Sequence, residues 1–168
     1  MKALILVDIQ NDFLPNGALA VPDGDKIVPI VNKLQTAFPI VVATQDWHPA
    51  NHGSFAVSHP GKNVFEQIEL NGLPQTLWPV HCVQGTKGAA FHAALPTAPA
   101  DLIIRKGFRP EIDSYSAFFE NDHKTPTGLD GYLKSRGVSD VTLVGLATDF
   151  CVAYSAIDAA RLGFGVTV

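Results

Sequence analysis

Two cysteines in 168 residues, no C-x-x-C spacing, no block of lysine or arginine and no long apolar stretch remove several classes at once. Cys82 and Cys151 are too few and too far apart to staple a chain of this size, so both are read as free thiols. A net charge of −4 with pI near 5.8 offers no electrostatic footprint for nucleic acid or anionic lipid, which points to a small-molecule partner. The opening Met1-Lys2-Ala3-Leu4-Ile5-Leu6-Val7 is broken by Asp8, too soon for a signal sequence or a membrane span, and suggests a cytosolic protein. No Ser/Gly linker divides the chain, and at 46% hydrophobic it can bury one core, so residues 1–168 are expected to form one domain. Nothing in the composition indicates an oligomer.

The chain does contain short, continuous apolar runs: Leu4 to Val7, Ile40 to Ala43, Leu102 to Arg105, Val141 to Gly145 and Phe164 to Val168. Such runs are expected of parallel strands covered on both faces. Between them, Ile27, Ile30, Val31 and Leu34 recur at helical spacing, predicting a helix over residues 25–36. Further helices are predicted over 128–136, closed by Gly137, and over 151–162, closed by Gly163. The pattern from Pro49 to Pro99 is irregular and is read as a long elaborated loop with short helical pieces. The sum is an α/β, three-layer fold with a parallel sheet and helices on both faces. A chain that stops on a bare strand suggests that a final helix is missing.

Open α/β sheets bind ligands beyond the carboxyl ends of their strands, and that is where the reactive residues fall. Asp8, Lys106 and Cys151 follow three of the runs, and Asp46 and His48 follow a fourth. Cys151 lies on a strand-to-helix turn, where unpaired backbone N–H groups favour a thiolate and can donate to an oxyanion. Asp8 is a candidate base and Lys106 a candidate partner for both. Asp46 and His48, two residues apart in extended chain, point to one side and can share a metal ion. His81 would complete a carboxylate and two-histidine set with positions left open for water or substrate. His52 is a weaker candidate, as a fourth ligand or as support for one. Each of these residues has an ordinary reading as core, turn or loop, and it is their shared location that favours chemistry.

Leu6-Val7-Asp8-Ile9-Gln10-Asn11-Asp12-Phe13, Thr44-Gln45-Asp46-Trp47-His48-Pro49, Trp78-Pro79-Val80-His81-Cys82, Arg105-Lys106-Gly107 and Gly145-Leu146-Ala147-Thr148-Asp149-Phe150-Cys151-Val152 together resemble the isochorismatase-like cysteine hydrolases. Within them the blocks are most similar to the nicotinamidase/pyrazinamidase group. The resemblance implies strand order 3-2-1-4-5, Cys151 as nucleophile, Asp8 as general base and Lys106 as third member of a triad. It also implies an oxyanion hole of the Ala147 and Cys151 N–H groups behind a cis Leu146-Ala147 peptide, and a divalent Zn, Fe or Mn on Asp46, His48 and His81. Phe13, Trp78 and Tyr115 match positions flanking the substrate ring. The implied reaction converts nicotinamide, or the related pyrazinamide, to the acid and ammonia through a thioester. Relatives acting on N-carbamoyl or ureido compounds keep the triad but lack the Asp46, His48 and His81 pattern. A non-catalytic metal-binding domain would have no use for Lys106 and Cys151, and a nucleotide-binding domain would carry G-x-G-x-x-G after the first strand, where Asp8-Ile9-Gln10-Asn11-Asp12 stands.

Overall fold

The computed structural model describes all residues from Met1 to Val168. Five parallel strands form the central sheet: β1 (Lys2–Val7), β2 (Val41–Asp46), β5 (Leu102–Lys106), β6 (Asp140–Gly145) and β7 (Gly165–Thr167), in the spatial order β5-β2-β1-β6-β7. Counted along the chain within this sheet, the order is the expected 3-2-1-4-5. Alternation along β1 decides which residues meet which layer. Ala3, Ile5 and Val7 face a core built with Leu129 and Leu133 of α2 (Leu129–Ser135) and Ala159 of α3 (Ala153–Arg161). Leu4 and Leu6 face the opposite layer, where Val28 and Val31 of α1 (Val28–Gln35) pack. Covering on both faces explains why β1 shows no polar alternation. No helix is long and apolar enough to cross a membrane.

Two helices start differently from the sequence reading. The segment before α1 is a 3₁₀ turn at Gly24–Ile27, with Pro29 in the first turn of the helix proper, a place where its missing N–H costs nothing. The turn around Cys151 is a π-helical segment, Thr148–Val152, which opens into α3. Gly137 and Gly163 close α2 and α3 with φ of 69° and 91°, as expected.

The region 49–99 corrects the long-loop reading. It contains an antiparallel hairpin, β3 (Gln67–Leu70) and β4 (Leu73–Thr76). Its two-residue turn is Asn71-Gly72, both at positive φ (50° and 80°), the geometry that matches the twist of paired strands. That dipeptide was the available signal, hidden because the flanking strands are only four residues long and one contains Pro74. The hairpin feeds Leu77 and Trp78 into the interior: the Leu77 N–H donates to Glu66 O and the Trp78 N–H to Ser54 O, each at 2.8 Å.

Candidate active site

Register brings the reactive groups together. Asp46, the last residue of β2, pairs directly with Lys106, the last residue of β5. Asp8 leaves β1 with φ of 48°, and its backbone N–H donates to Thr44 Oγ1 at 3.1 Å. At the end of β6, Gly145 takes φ of 145°, and a Cβ there would collide with the Val7 carbonyl. Glycine therefore lets β6 lie close to β1 where the chain turns toward Cys151.

The fully buried Lys106 ammonium is the hub. Its Nζ lies 2.8 Å from Asp8 Oδ2, 2.8 Å from Asp46 Oδ1, 2.9 Å from the Ser114 carbonyl and 3.6 Å from Cys151 Sγ. Burial disfavours its charge, but Asp46 and Asp8 outweigh that cost and hold the lysine well above its usual range. Asp8 is pushed up by burial, against the opposing pull of Lys106. Its Oδ1 also accepts a 2.6 Å hydrogen bond from the Thr44 hydroxyl, which fixes the carboxylate plane. Burial raises the Cys151 thiol well above its ordinary value, and Lys106 offsets only part of this. Asp8 stands within hydrogen-bonding reach of this thiol as an acceptor for its proton.

Beside this triad, Asp46, His48 and His81 direct one ligand atom each to a common point, all within 4.8 Å of one another. Each histidine is oriented by a backbone carbonyl: His48 Nδ1 donates to Gly107 O at 2.7 Å and His81 Nδ1 to Pro79 O at 2.8 Å. With each Nδ1 so engaged, both Nε2 atoms point at Asp46 Oδ2, at 3.1 and 3.6 Å, the shorter being a hydrogen bond between His48 and the carboxylate. Burial works against a charged His48, but Asp46 outweighs it and raises the ring to about 9. Asp46 in turn is raised by burial yet held well below the carboxylate range by Lys106 and His48. A carboxylate and two imidazole nitrogens aimed at it form a donor set that suits a divalent cation, which would take the place of the proton on His48 Nε2. Gly107 takes φ of 64°, and a Cβ there would run into the His48 ring.

His81 reaches this point because residues 82–84 run beside His48, with the His48 N–H donating to Cys82 O and the Gln84 N–H to His48 O. Asp12 braces the same segment by accepting the Cys82 N–H at 2.7 Å. His52 does not join the three ligands. Its Nδ1 accepts from the Ser54 hydroxyl and N–H, and its Nε2 donates to Ile112 O, while the ring packs 4.3 Å from that of His48. With His48 and Asp113 it forms a second group of candidate ligand atoms, all within 4.8 Å of one another.

A cavity of about 230 Å³ opens over Cys151, Asp46 and His81. Phe13, Trp78 and Tyr115 line it, and the Trp78 Nε1–H donates to Tyr115 Oη at 3.2 Å. Phe150, one residue before the thiol, adds a further wall with its ring edge-on to Trp78 at 4.9 Å. The Leu146-Ala147 peptide is cis, and Ala147 borders the cavity together with Cys151. Thr44, Ser114, Gln10, Asp113 and Phe150 were not singled out as site residues from sequence. Thr44, Gln10 and Phe150 lie inside the motif blocks, but only the folded chain shows that Gln10 clamps Asp46, donating to its carbonyl and accepting its N–H at 2.8 Å each.

Comparison with known proteins agrees with this architecture. The isochorismatase domain family matches residues 2–168. A nicotinamidase of Acinetobacter baylyi is 59% identical over 96% of this chain and 75% of its own length. The solved structure of an Acinetobacter baumanii nicotinamidase/pyrazinamidase superimposes with a TM-score of 0.95, at 60% identity, covering 97% of this chain and 79% of that one. A Pyrococcus horikoshii pyrazinamidase in complex with zinc matches with a TM-score of 0.77 at 41% identity, covering 97% and 80%. With a match along almost its entire length, the chain belongs to the isochorismatase family.

Proposed function

We propose that this protein is a nicotinamidase, an amidohydrolase converting nicotinamide to nicotinate and ammonia, and acting on pyrazinamide in the same way. The observation that carries this reading is the placement of Cys151 Sγ 3.6 Å from Lys106 Nζ, with Asp8 on the same ammonium, beside the Asp46, His48 and His81 set and under an aromatic-walled cavity. The names of the close relatives support it. Residues 1–168 act as one hydrolase unit in this reading, and the buried free thiols Cys82 and Cys151 fit a reducing, cytosolic setting.

Asp8 takes the Cys151 thiol proton as the sulfur adds to the amide carbon. The Ala147 and Cys151 backbone N–H groups receive the oxyanion that forms. Asp8 returns the proton to the amide nitrogen, the C–N bond breaks and ammonia departs, leaving a thioester on Cys151. Asp8 then accepts a proton from water, whose oxygen displaces the sulfur to give nicotinate and restore the thiol. Lys106 keeps Asp8 pointed at the sulfur throughout and stabilises negative charge there. Phe13, Trp78 and Tyr115 hold the flat ring, which turns binding into orientation of the amide. Asp46, His48 and His81 would hold a divalent metal, zinc being one fit, and such an ion supplies a Lewis-acid position for the pyridine nitrogen.

Ammonia release from nicotinamide, measured with metal content on the same sample, tests the reading. Cys151→Ala should abolish turnover and retain nicotinamide binding. Ammonia release by that variant at the parent rate would rule out the covalent route. An N-carbamoyl amidohydrolase would instead release ammonia from ureido compounds and ignore nicotinamide.

A further inference from the structure

One acidic side chain in the cavity has no part in the chemistry above. Asp113 is buried and borders the same space as Cys151, His81 and Asp46. Its Oδ1 accepts the Ser114 N–H at 2.8 Å, and its Oδ2 accepts from Gln75 Nε2 at 3.1 Å. Each carboxylate oxygen thus has a donor of its own. Gln75, from β4 of the hairpin, also donates to Tyr115 Oη at 3.0 Å, so the position of the carboxylate is tied to the aromatic wall. Much of the rest of the lining is apolar, with Leu19, Val21 and Phe150 among it, and a fixed charge against such walls is weakly screened.

The inference rests on the nicotinamide reading. That reaction turns a neutral ligand into an anion inside one cavity. Lys106 attracts the new carboxylate, and a divalent metal held by Asp46, His48 and His81 would do the same. Asp8 and Asp46 oppose this, but Asp8 changes its protonation during the cycle and Asp46 is engaged by Lys106. Whichever way the Asp8 proton stands, the Asp113 carboxylate adds negative charge beside the cavity; no lysine or arginine bridges it, and its nearest titratable neighbours are the His48 and His52 rings, with ligand atoms within 4.8 Å of its own. We propose that Asp113 is a specificity-determining residue: its fixed carboxylate disfavours an anionic ligand, so the site holds the carboxamide and sheds the carboxylic acid that it makes.

Nicotinamide and nicotinate differ by little more than this charge, and in the Cys151→Ala protein neither reacts. Calorimetric titration of both ligands into zinc-loaded Cys151→Ala and Cys151→Ala/Asp113→Asn protein therefore isolates the effect. The ratio of the nicotinate Kd to the nicotinamide Kd should fall about ten-fold when Asp113 loses its charge, equivalent to about 1.4 kcal/mol. Asp113→Ser, which keeps an acceptor for the Ser114 N–H, should shift the ratio the same way and serves if the asparagine variant folds poorly. An unchanged ratio overturns the proposal. Equal weakening of both ligands also overturns it, since Asp113 would then only brace the aromatic wall. Absence of ammonia release from nicotinamide by the unmodified protein would instead strike the underlying reading, and the two failures are distinct.

Discussion

Lys106 and Asp46 are register partners on neighbouring strands, and the Lys106 ammonium stands 2.8 Å from Asp46 Oδ1 while His48 and His81 face Oδ2 of the same carboxylate. A single carboxylate thus joins the candidate metal centre to the candidate triad. Two buried acids share one buried base, and the arrangement holds only while that base is present.

Removing Lys106 should therefore destabilise the fold as well as silence the site. In Lys106→Met, Asp8 and Asp46 remain buried without their common cation, and breaking such a pair costs about 3–5 kcal/mol. Urea denaturation of the metal-loaded protein reads this directly. A midpoint equal to that of the parent would mean that the two ion pairs contribute nothing to stability.

The assignment of ligands predicts a split between two histidines. His81→Ala should lose most of the bound metal. His52→Ala, whose two ring nitrogens are engaged by Ser54 and Ile112, should retain it with affinity lowered about 10- to 100-fold, as expected for a group that supports a ligand. Gly107→Ala should behave like the His81 variant, because the added methyl occupies the place of the His48 ring. Metal analysis after dialysis against a weak chelator distinguishes these outcomes, and equal retention in His81→Ala and the parent would remove His81 from the set.

The thiol gives a pH prediction. Burial is the largest influence on Cys151, Lys106 only partly offsets it, and the net effect raises the thiol well above its usual value. A raised thiol is protonated at neutral pH, and its thiolate fraction increases with every unit of pH until that value is passed. In a Cys82→Ala background, the rate of iodoacetamide alkylation should still be climbing at about pH 9, above the ordinary thiol range. A plateau below neutrality would show that the free enzyme carries a preformed thiolate.

Thr44 offers a test of how tightly the base is held. Thr44→Val deletes the hydroxyl that donates to Asp8 Oδ1 at 2.6 Å and accepts the Asp8 N–H. Leaving a buried carboxylate short of a donor costs about 1–3 kcal/mol. The expected result is a 10- to 100-fold fall in kcat with KM for nicotinamide little changed, since Thr44 is outside the cavity wall. A change confined to KM would place Thr44 with the ligand instead of with the base.

Much of the scaffold was legible in the residues because its signals are local. Apolar runs without polar alternation, such as Leu4 to Val7, follow from a sheet covered on both sides, and glycines at 137 and 163 ended helices for the steric reason that permits positive φ. The hairpin at 67–76 was missed because four-residue strands carry too little pattern to stand out around Asn71-Gly72. The π-helical turn at Thr148–Val152 left no periodic signature at all.

The sequence by itself determined which chemistry was available: one thiol after an apolar run, a lysine and two aspartates at strand ends, and an Asp46-x-His48 pair, all expected at one edge of the sheet. Tertiary structure alone decided how they are coupled. Parallel register made Asp46 and Lys106 neighbours, two backbone carbonyls chose the histidine nitrogens that face Asp46, and Ser54 with Ile112 turned His52 away from the other ligands. Those choices depend on atoms distant in the chain meeting at hydrogen-bonding range, and no local pattern of residue types encodes such distances.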